Sequence, residues 1–377
     1  GFRAWQLDPS VYRGETLVNR GGEIVELTGD EETQAYDKLM IEKNHFIFGT
    51  KEKLEGAPET VYQNIVKPSL PLLLWNSLLK ILFIFGCIYL FFSTAFVLGR
   101  YTADRICKDT DSLAKILLSF GFGFLAFIVY IFIFAAFGIW NFYTALLLVI
   151  LPNLIFIKRA LTTFKSVLFN KLEIRFKPFS PAVLASFAVL VIFSLNFVTN
   201  LREIPSGWDD LTRYILLPKL IAQKGALISG FTPDNFGLIM SLGYVIFKSG
   251  MITMFISITA GILAVFTLYH ILSRFTGKEN SFILASFFYT LPMVFFQSSA
   301  EIKTDMPLLL FGALSVLSFL EFRKNESLKW LAICALFAGI AFGIKFTAIF
   351  LIFSLFVLLL YRAFKVLGGL SGLLVTI

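Results

Sequence analysis

Charge is scarce in this sequence. Only 15% of its 377 residues are Asp, Glu, Lys or Arg, whereas a soluble domain carries about a quarter. That shortage excludes a soluble globular enzyme, and with it disordered and collagen-like chains. Histidine is nearly absent: His45 and His270 are the only two, too few for a His-ligated metal site. The three cysteines have no zinc-like or disulfide spacing, since Cys87 and Cys334 sit inside apolar runs and Cys107 in a short loop. No Gly-rich phosphate loop is present, so a nucleotide cradle of that kind is excluded. Residues 1–68 show no initiator Met and no signal-peptide pattern.

What the chain has instead is apolar bulk, 57% hydrophobic with 45 Phe. The first 68 residues are different, carrying a net charge of −4 against +12 for the remainder. Turn-forming pairs Gly21-Gly22 and Gly29-Asp30 mark them as an external soluble segment, residues 1–70, with a short helix expected over Glu31 to Lys43. This segment reads as the tail of a longer region. Residues 71–377 read as a polytopic membrane domain. Apolar runs at 81–99, 116–138, 144–157, 182–199, 251–272, 281–297, 306–322, 330–344 and 347–361 are candidate spans. A further run from Val366 to Ile377 reads as a span cut short, so that longer flanking regions are expected at both ends.

The basic loops set the orientation. Lys158, Arg159, Lys165, Lys171, Arg175 and Lys177 face Glu173 alone between 158 and 177, which marks that loop as cytoplasmic. Alternation then places 100–115, 273–280, 323–329 and 362–365 on the same side, provided 233–248 does not cross. The +8 net charge is therefore a topology signal, and a nucleic-acid partner is not expected.

Of the 13 acidic residues after position 68, six fall on the predicted outer side, in loops 200–250 and 298–305: Glu203, Asp209, Asp210, Asp234, Glu301 and Asp305. Asp209 and Asp210 follow Gly207-Trp208 and lead into an apolar stripe at helical spacing, Leu211, Tyr214, Ile215, Leu217, Leu220 and Ile221. The pair either caps that amphipathic surface helix or supplies a general base at the membrane edge, with Arg213 one turn on as cationic partner. Pro218 is expected to bend or interrupt the helix, and a second surface helix follows from Asn235 to Lys248. Glu301 and Asp305, spaced i and i+4, share a face if helical. Asp305 immediately precedes Met306-Pro307 as either an N-cap or a functional carboxylate. Lys345 is a lone cation between two apolar runs, either a lysine snorkelling to the interface or a phosphate ligand.

These residues resemble the GT-C glycosyltransferases, polytopic enzymes that take sugars from polyprenyl-phosphate carriers and include the protein mannosyltransferase and aminoarabinose transferase groups. The resemblance is carried by Gly207-Trp208-Asp209-Asp210 running to Tyr214 and Lys219, then Thr232-Pro233-Asp234-Asn235-Phe236. Val265 to Arg274, Lys303-Thr304-Asp305-Met306-Pro307, and Ala338 to Lys345-Phe346-Thr347 continue it in order. It spans roughly residues 80–365. Where many members read Tyr-His, this chain has Arg213-Tyr214. The resemblance implies an all-α membrane bundle with amphipathic juxtamembrane helices in the first external loop. It also implies inverting sugar transfer on the outer face of the cytoplasmic membrane, from a polyprenyl-phosphate donor to a lipid, glycan or protein acceptor. Asp209, with Asp210 beside it, would take the catalytic Asp position. Arg213, Lys219, Lys303 and Lys345 would hold the carrier phosphate, Tyr214 would contact substrate, and Glu301 and Asp305 would position sugar or acceptor, or hold a divalent metal. The competing class is a transporter or flippase for a lipid-linked or small anionic substrate, which calls for mid-membrane charges and broken helices. A non-catalytic membrane scaffold would leave the clustered outer carboxylates unexplained.

Overall fold

A computed structural model of the chain describes residues 17–20, 23–26, 70–108, 110–156, 158, 180–201, 213–228, 234–299 and 303–366. The chain divides into two compact units, Gly1–Leu73 and Leu74–Ile377. In the first unit, β1 (Leu17–Arg20) and β2 (Glu23–Glu26) pair antiparallel, with Leu17 opposite Glu26 and Arg20 opposite Glu23. The sequence between them is Gly21-Gly22, the residue pair that hairpin turns favour. The helix expected over Glu31 to Lys43 lies outside the described residues, as does most of the basic loop 158–177.

The second unit is helical throughout its described residues. It opens with α1 (Leu70–Ile106), α2 (Ser112–Ala136), α3 (Phe142–Ile155) and α4 (Pro181–Thr199). Then come α5 (Leu216–Lys224), α6 (Asn235–Phe247), α7 (Gly250–Leu272), α8 (Lys278–Thr290) and α9 (Pro292–Ser299). Last are α10 (Asp305–Asn325), α11 (Leu328–Ile344), a 3-10 turn at Phe346–Ala348 and α12 (Ile349–Val366). The predicted apolar runs from 81 to 361 fall on helices, that at 281–297 broken at Leu291, while the run from Val366 to Ile377 lies almost wholly outside the described residues. Among the described residues five helices are long and apolar enough to cross a membrane, and six if α8 and α9, bent by 67°, count as one span. The second unit is an all-α polytopic membrane domain.

Burial separates two uses of the phenylalanines. Phe124, Phe236, Phe311 and Phe337 are buried and join α2, α6, α10 and α11 through ring contacts at centroid distances of 6.1–6.4 Å. On α4, by contrast, Leu184, Phe187, Leu190 and Val198 are exposed, as are Phe350, Phe353 and Phe356 on α12. Apolar faces this continuous belong against lipid. Polar side chains tie α4 to its neighbours: the Asn196 amide donates to the Tyr289 hydroxyl at 3.0 Å, and Asn200 to the Ser298 carbonyl at 2.9 Å.

Helices α1 and α2 cross on glycine. A Cβ at Gly99 would strike the Ser119 carbonyl, and one at Gly123 the Ala95 carbonyl. Small residues at such crossings let two backbones touch, which is how helices associate where no hydrophobic effect separates them from lipid. Both obstacles are backbone atoms that no rotamer change can move. Gly123→Ala should therefore cost about 1–3 kcal/mol, as overpacking does. A fall in the midpoint of unfolding of the purified protein in detergent would check it.

The two helices of the first external loop are both present. Pro218 does not bend α5. It occupies the third helical position, in the first turn, where a backbone N–H has no helical partner to lose. Leu217, Pro218 and Ile221 form its buried face, and Gly225 at φ 64° ends it in the left-handed region glycine tolerates. Helix α6 lies deeper than a helix floating on the surface. Nine of its residues are buried, Trp140 donates to Ser241 at 3.0 Å, and a Cβ at Gly243 would meet Thr253 of α7.

Four of the predicted inner loops that are described meet at one end of this unit. Asp104 pairs with Arg100 at 2.9 Å and Lys115 at 2.8 Å. Asp111 caps α2 and takes His270 at 3.2 Å and Arg274 at 3.6 Å, while Arg274 also pairs with the buried Glu321. Arg362 pairs with Glu326 at 2.6 Å. Loops 100–115, 273–280, 323–329 and 362–365 thus share an end, as the alternation of basic loops requires. His270, expected to be structural beside Arg274, is buried 3.1 Å from it.

Candidate active site

The opposite end is built where α10 begins and α11 finishes. Helix α11 stops after Ile344 because Lys345 turns extended (φ −153°, ψ 133°), which swings its side chain out of the helical register. The ammonium reaches Asp305 Oδ1 at 2.7 Å, across 40 residues of chain. Asp305 Oδ2 accepts from the Gln297 amide at 3.3 Å. Thr304, not Asp305, is the N-cap of α10. The capping alternative for Asp305 is thereby excluded, because its carboxylate is committed to Lys345 and Gln297. Lys345 is held in a partly buried pair, with 32% and 26% of the two side chains exposed.

Helix α6 begins beside the end of α11, at Gly343, two residues before Lys345. A Cβ at Gly343 would collide with the Asn235 amide, so the absence of a side chain there lets the start of α6 lie against the end of α11. Asp234, the N-cap of α6, is 8% exposed. Its Oδ1 accepts from the Gly237 N–H at 3.0 Å, while Oδ2 is buried with no hydrogen-bond partner among the described residues. Burial pushes the Asp234 carboxyl up to about 6, against the opposing pull of the Gly237 N–H, the Arg213 charge and the Phe236 N–H. Asp234 stood among the six outer acidic residues, but only the structure singles it out. The available signal was its place after Pro233 and before an apolar run, the pattern of a capping Asp.

The raised value has a consequence with a definite sign. Between about pH 4 and pH 6 the folded protein keeps a proton at Asp234 that the unfolded chain has released. Stability therefore falls as pH rises through that window, and the penalty is complete above it. Asn caps a helix as well as Asp does. Asp234→Asn should raise the melting midpoint at pH 7.5 and leave it unchanged at pH 4, with the gain at the higher pH approaching about 2–3 kcal/mol. Equal shifts at both pH values would contradict this.

The other expected site residues divide between described and undescribed positions. Arg213 stacks over the Tyr214 ring at 5.5 Å, and Tyr214 is buried. Lys219 is half-buried on α5, and Lys303 half-buried in the turn before α10. Asp209, Asp210, Glu203 and Glu301 lie outside the described residues. Residues 303 and 304 are not helical, and the expected i, i+4 face of Glu301 with Asp305 lies partly outside the described residues. Among the described residues no group of three or more His, Cys, Asp or Glu side chains converges to hold a metal.

Residues 233–375 match the family model described as dolichyl-phosphate-mannose-protein mannosyltransferase. The stretch opens next to Asp234 and contains α6, the Asp305–Lys345 pair and Gln297, so the likeness and the geometry fall on the same helices. Searches of the curated proteins and of the solved structures found no match.

Proposed function

We propose that this chain transfers a sugar from a polyprenyl-phosphate carrier to an acceptor hydroxyl on the outer face of the membrane. The observation that supports the reading is the Asp305–Lys345 pair, with the start of α6 packed at Gly343 two residues before Lys345, inside the segment that the family model matches. In the reaction the acceptor oxygen bonds to the anomeric carbon as the bond from that carbon to the phosphate oxygen breaks, with inversion. The acceptor proton passes to a carboxylate, for which Asp209 is the candidate, with Asp210 beside it. The departing polyprenyl phosphate gains negative charge, and fixed cations stabilise it without a nucleotide. Lys345 is the best-placed cation, because an ammonium has three donors and Asp305 uses one. Arg213, Lys219 and Lys303 complete the candidate phosphate ligands, and Tyr214, Glu301 and Asp305 the sugar or acceptor contacts.

The test is transfer of label from a radiolabelled polyprenyl-phosphate sugar by the purified full-length protein. A second reading draws on the α8–α9 break of 67°, since broken helices also line transporter sites. Labelled substrate that crosses proteoliposomes chemically unchanged, with no glycosylated product, would favour transport over transfer.

A further inference from the structure

The basic-loop end holds a cleft of about 540 Å³, some twenty residues of α10 away from Asp305. At 1.5 Å of rise per residue the two places lie about 30 Å apart along that helix, so the cleft is no part of the Asp305–Lys345 site. Its walls come from the α1–α2 loop (Asp111), the end of α7 (His270, Arg274), the end of α10 (Glu321, Arg323, Lys324) and α12 (Arg362).

The carboxylates of this cleft are already answered. Glu321 takes Arg274 and the Asn325 amide, and Asp111 takes the Ala114 N–H, His270 and Arg274. No carboxylate of the described residues pairs with Arg323 or Lys324, both exposed. Arg362 pairs only with Glu326, whose side chain is 76% exposed and so weakly committed. Among the described residues the cleft therefore presents two cations with no acidic partner and a third paired only with an exposed carboxylate. Phe275, 67% exposed, forms an apolar lip at the same opening. Cations at helix C-termini do favour the helix dipole, but that effect requires no cavity between three helix ends and no apolar rim.

We propose that this cleft binds a phosphate-bearing anion, either the headgroup of an anionic phospholipid or free phosphate, through Arg323, Lys324 and Arg362. The ligand stands apart from the sugar-transfer site, and the proposal does not depend on that reading. Basic pockets between helix ends on the positively charged side of a membrane protein take anionic headgroups in this way.

The experiment measures the melting midpoint of the full-length protein in neutral detergent at fixed ionic strength, titrated with three compounds: dihexanoyl phosphatidic acid, inorganic phosphate and dihexanoyl phosphatidylcholine. Phosphatidic acid should raise the midpoint saturably and phosphatidylcholine should not. A matching rise with inorganic phosphate assigns the site to free phosphate, and a rise with phosphatidic acid alone assigns it to a lipid headgroup. The double variant Arg323→Gln/Lys324→Gln should weaken the apparent Kd about ten- to thirty-fold. Glu326→Gln, which frees Arg362, should tighten it. No saturable rise with either anion, or an unchanged Kd in the double variant, overturns the proposal. If the double variant does not fold, Glu326→Gln decides alone, and equal or weaker binding there overturns it.

Discussion

Lys345→Ala is expected to lower sugar transfer by about 10²- to 10³-fold, the usual loss when one preorganised charge-stabilising group is removed from a reacting site. The size follows from placement. The ammonium is fixed by Asp305 at 2.7 Å and stands at the break between α11 and the Phe346–Ala348 turn, so it needs no reorganisation when the phosphate departs. The loss should fall mainly on kcat, because charge on the leaving phosphate grows as the bond breaks. A variant with unchanged kcat would remove Lys345 from the reaction. Stability separates this role from simple pairing. Asp305→Asn leaves a partly buried lysine without its counter-charge, whereas Asp305→Asn with Lys345→Met removes both charges. Breaking one side of such a pair costs more than replacing both. The double variant should accordingly melt above Asp305→Asn while remaining inactive. A double-mutant cycle on the melting midpoints reports the coupling directly.

Asp209→Asn is expected to reduce transfer by about 10²- to 10⁴-fold, the range for loss of a general base. Asp210→Asn should fall well short of that. The asparagine keeps the shape and the capping ability of the aspartate, so folding should be preserved and the loss should appear in kcat. Full transfer by the Asp209 variant would sink its assignment as base. If Asp210→Asn alone is inactive, the base is its neighbour. Asp234, buried and with a raised carboxyl value, offers a third outcome: loss of activity in Asp234→Asn with both others active would move the proton-accepting role to the start of α6.

The membrane architecture was legible in the sequence because lipid imposes long-range rules on composition. The apolar runs from 81 to 361 fall on helices, one of them broken at Leu291, and the basic loops 100–115, 273–280, 323–329 and 362–365 share one end. Two adjustments came from local context that hydropathy does not carry. Pro218 ends up in the first turn, since the chain leaves the helix before it and not after it. Helix α6 is buried because Trp140, Thr253 and Phe124 come from other elements to cover it. The site was half legible. Asp305 and Lys345 stood out singly, as charges beside apolar runs, but a contact across 40 residues has no sequence periodicity to announce it. Asp234 looked like any helix cap. Its distinction lies in an oxygen left without a partner once Gly343 has let Asn235 close against α11.

The cluster of Asp111, His270, Arg274 and Glu321 also sets an order on biogenesis. Asp111 belongs to the first helical hairpin of the membrane unit, and its partners are made only after five further helices have followed. During synthesis that hairpin must wait with its carboxylate at the membrane edge, hydrated and unmatched. Glu321 cannot enter its buried position until Arg274 is already there, since an unpaired buried carboxylate is costly. That pairing therefore waits for α10, and Arg362 of α12 joins the same end later still.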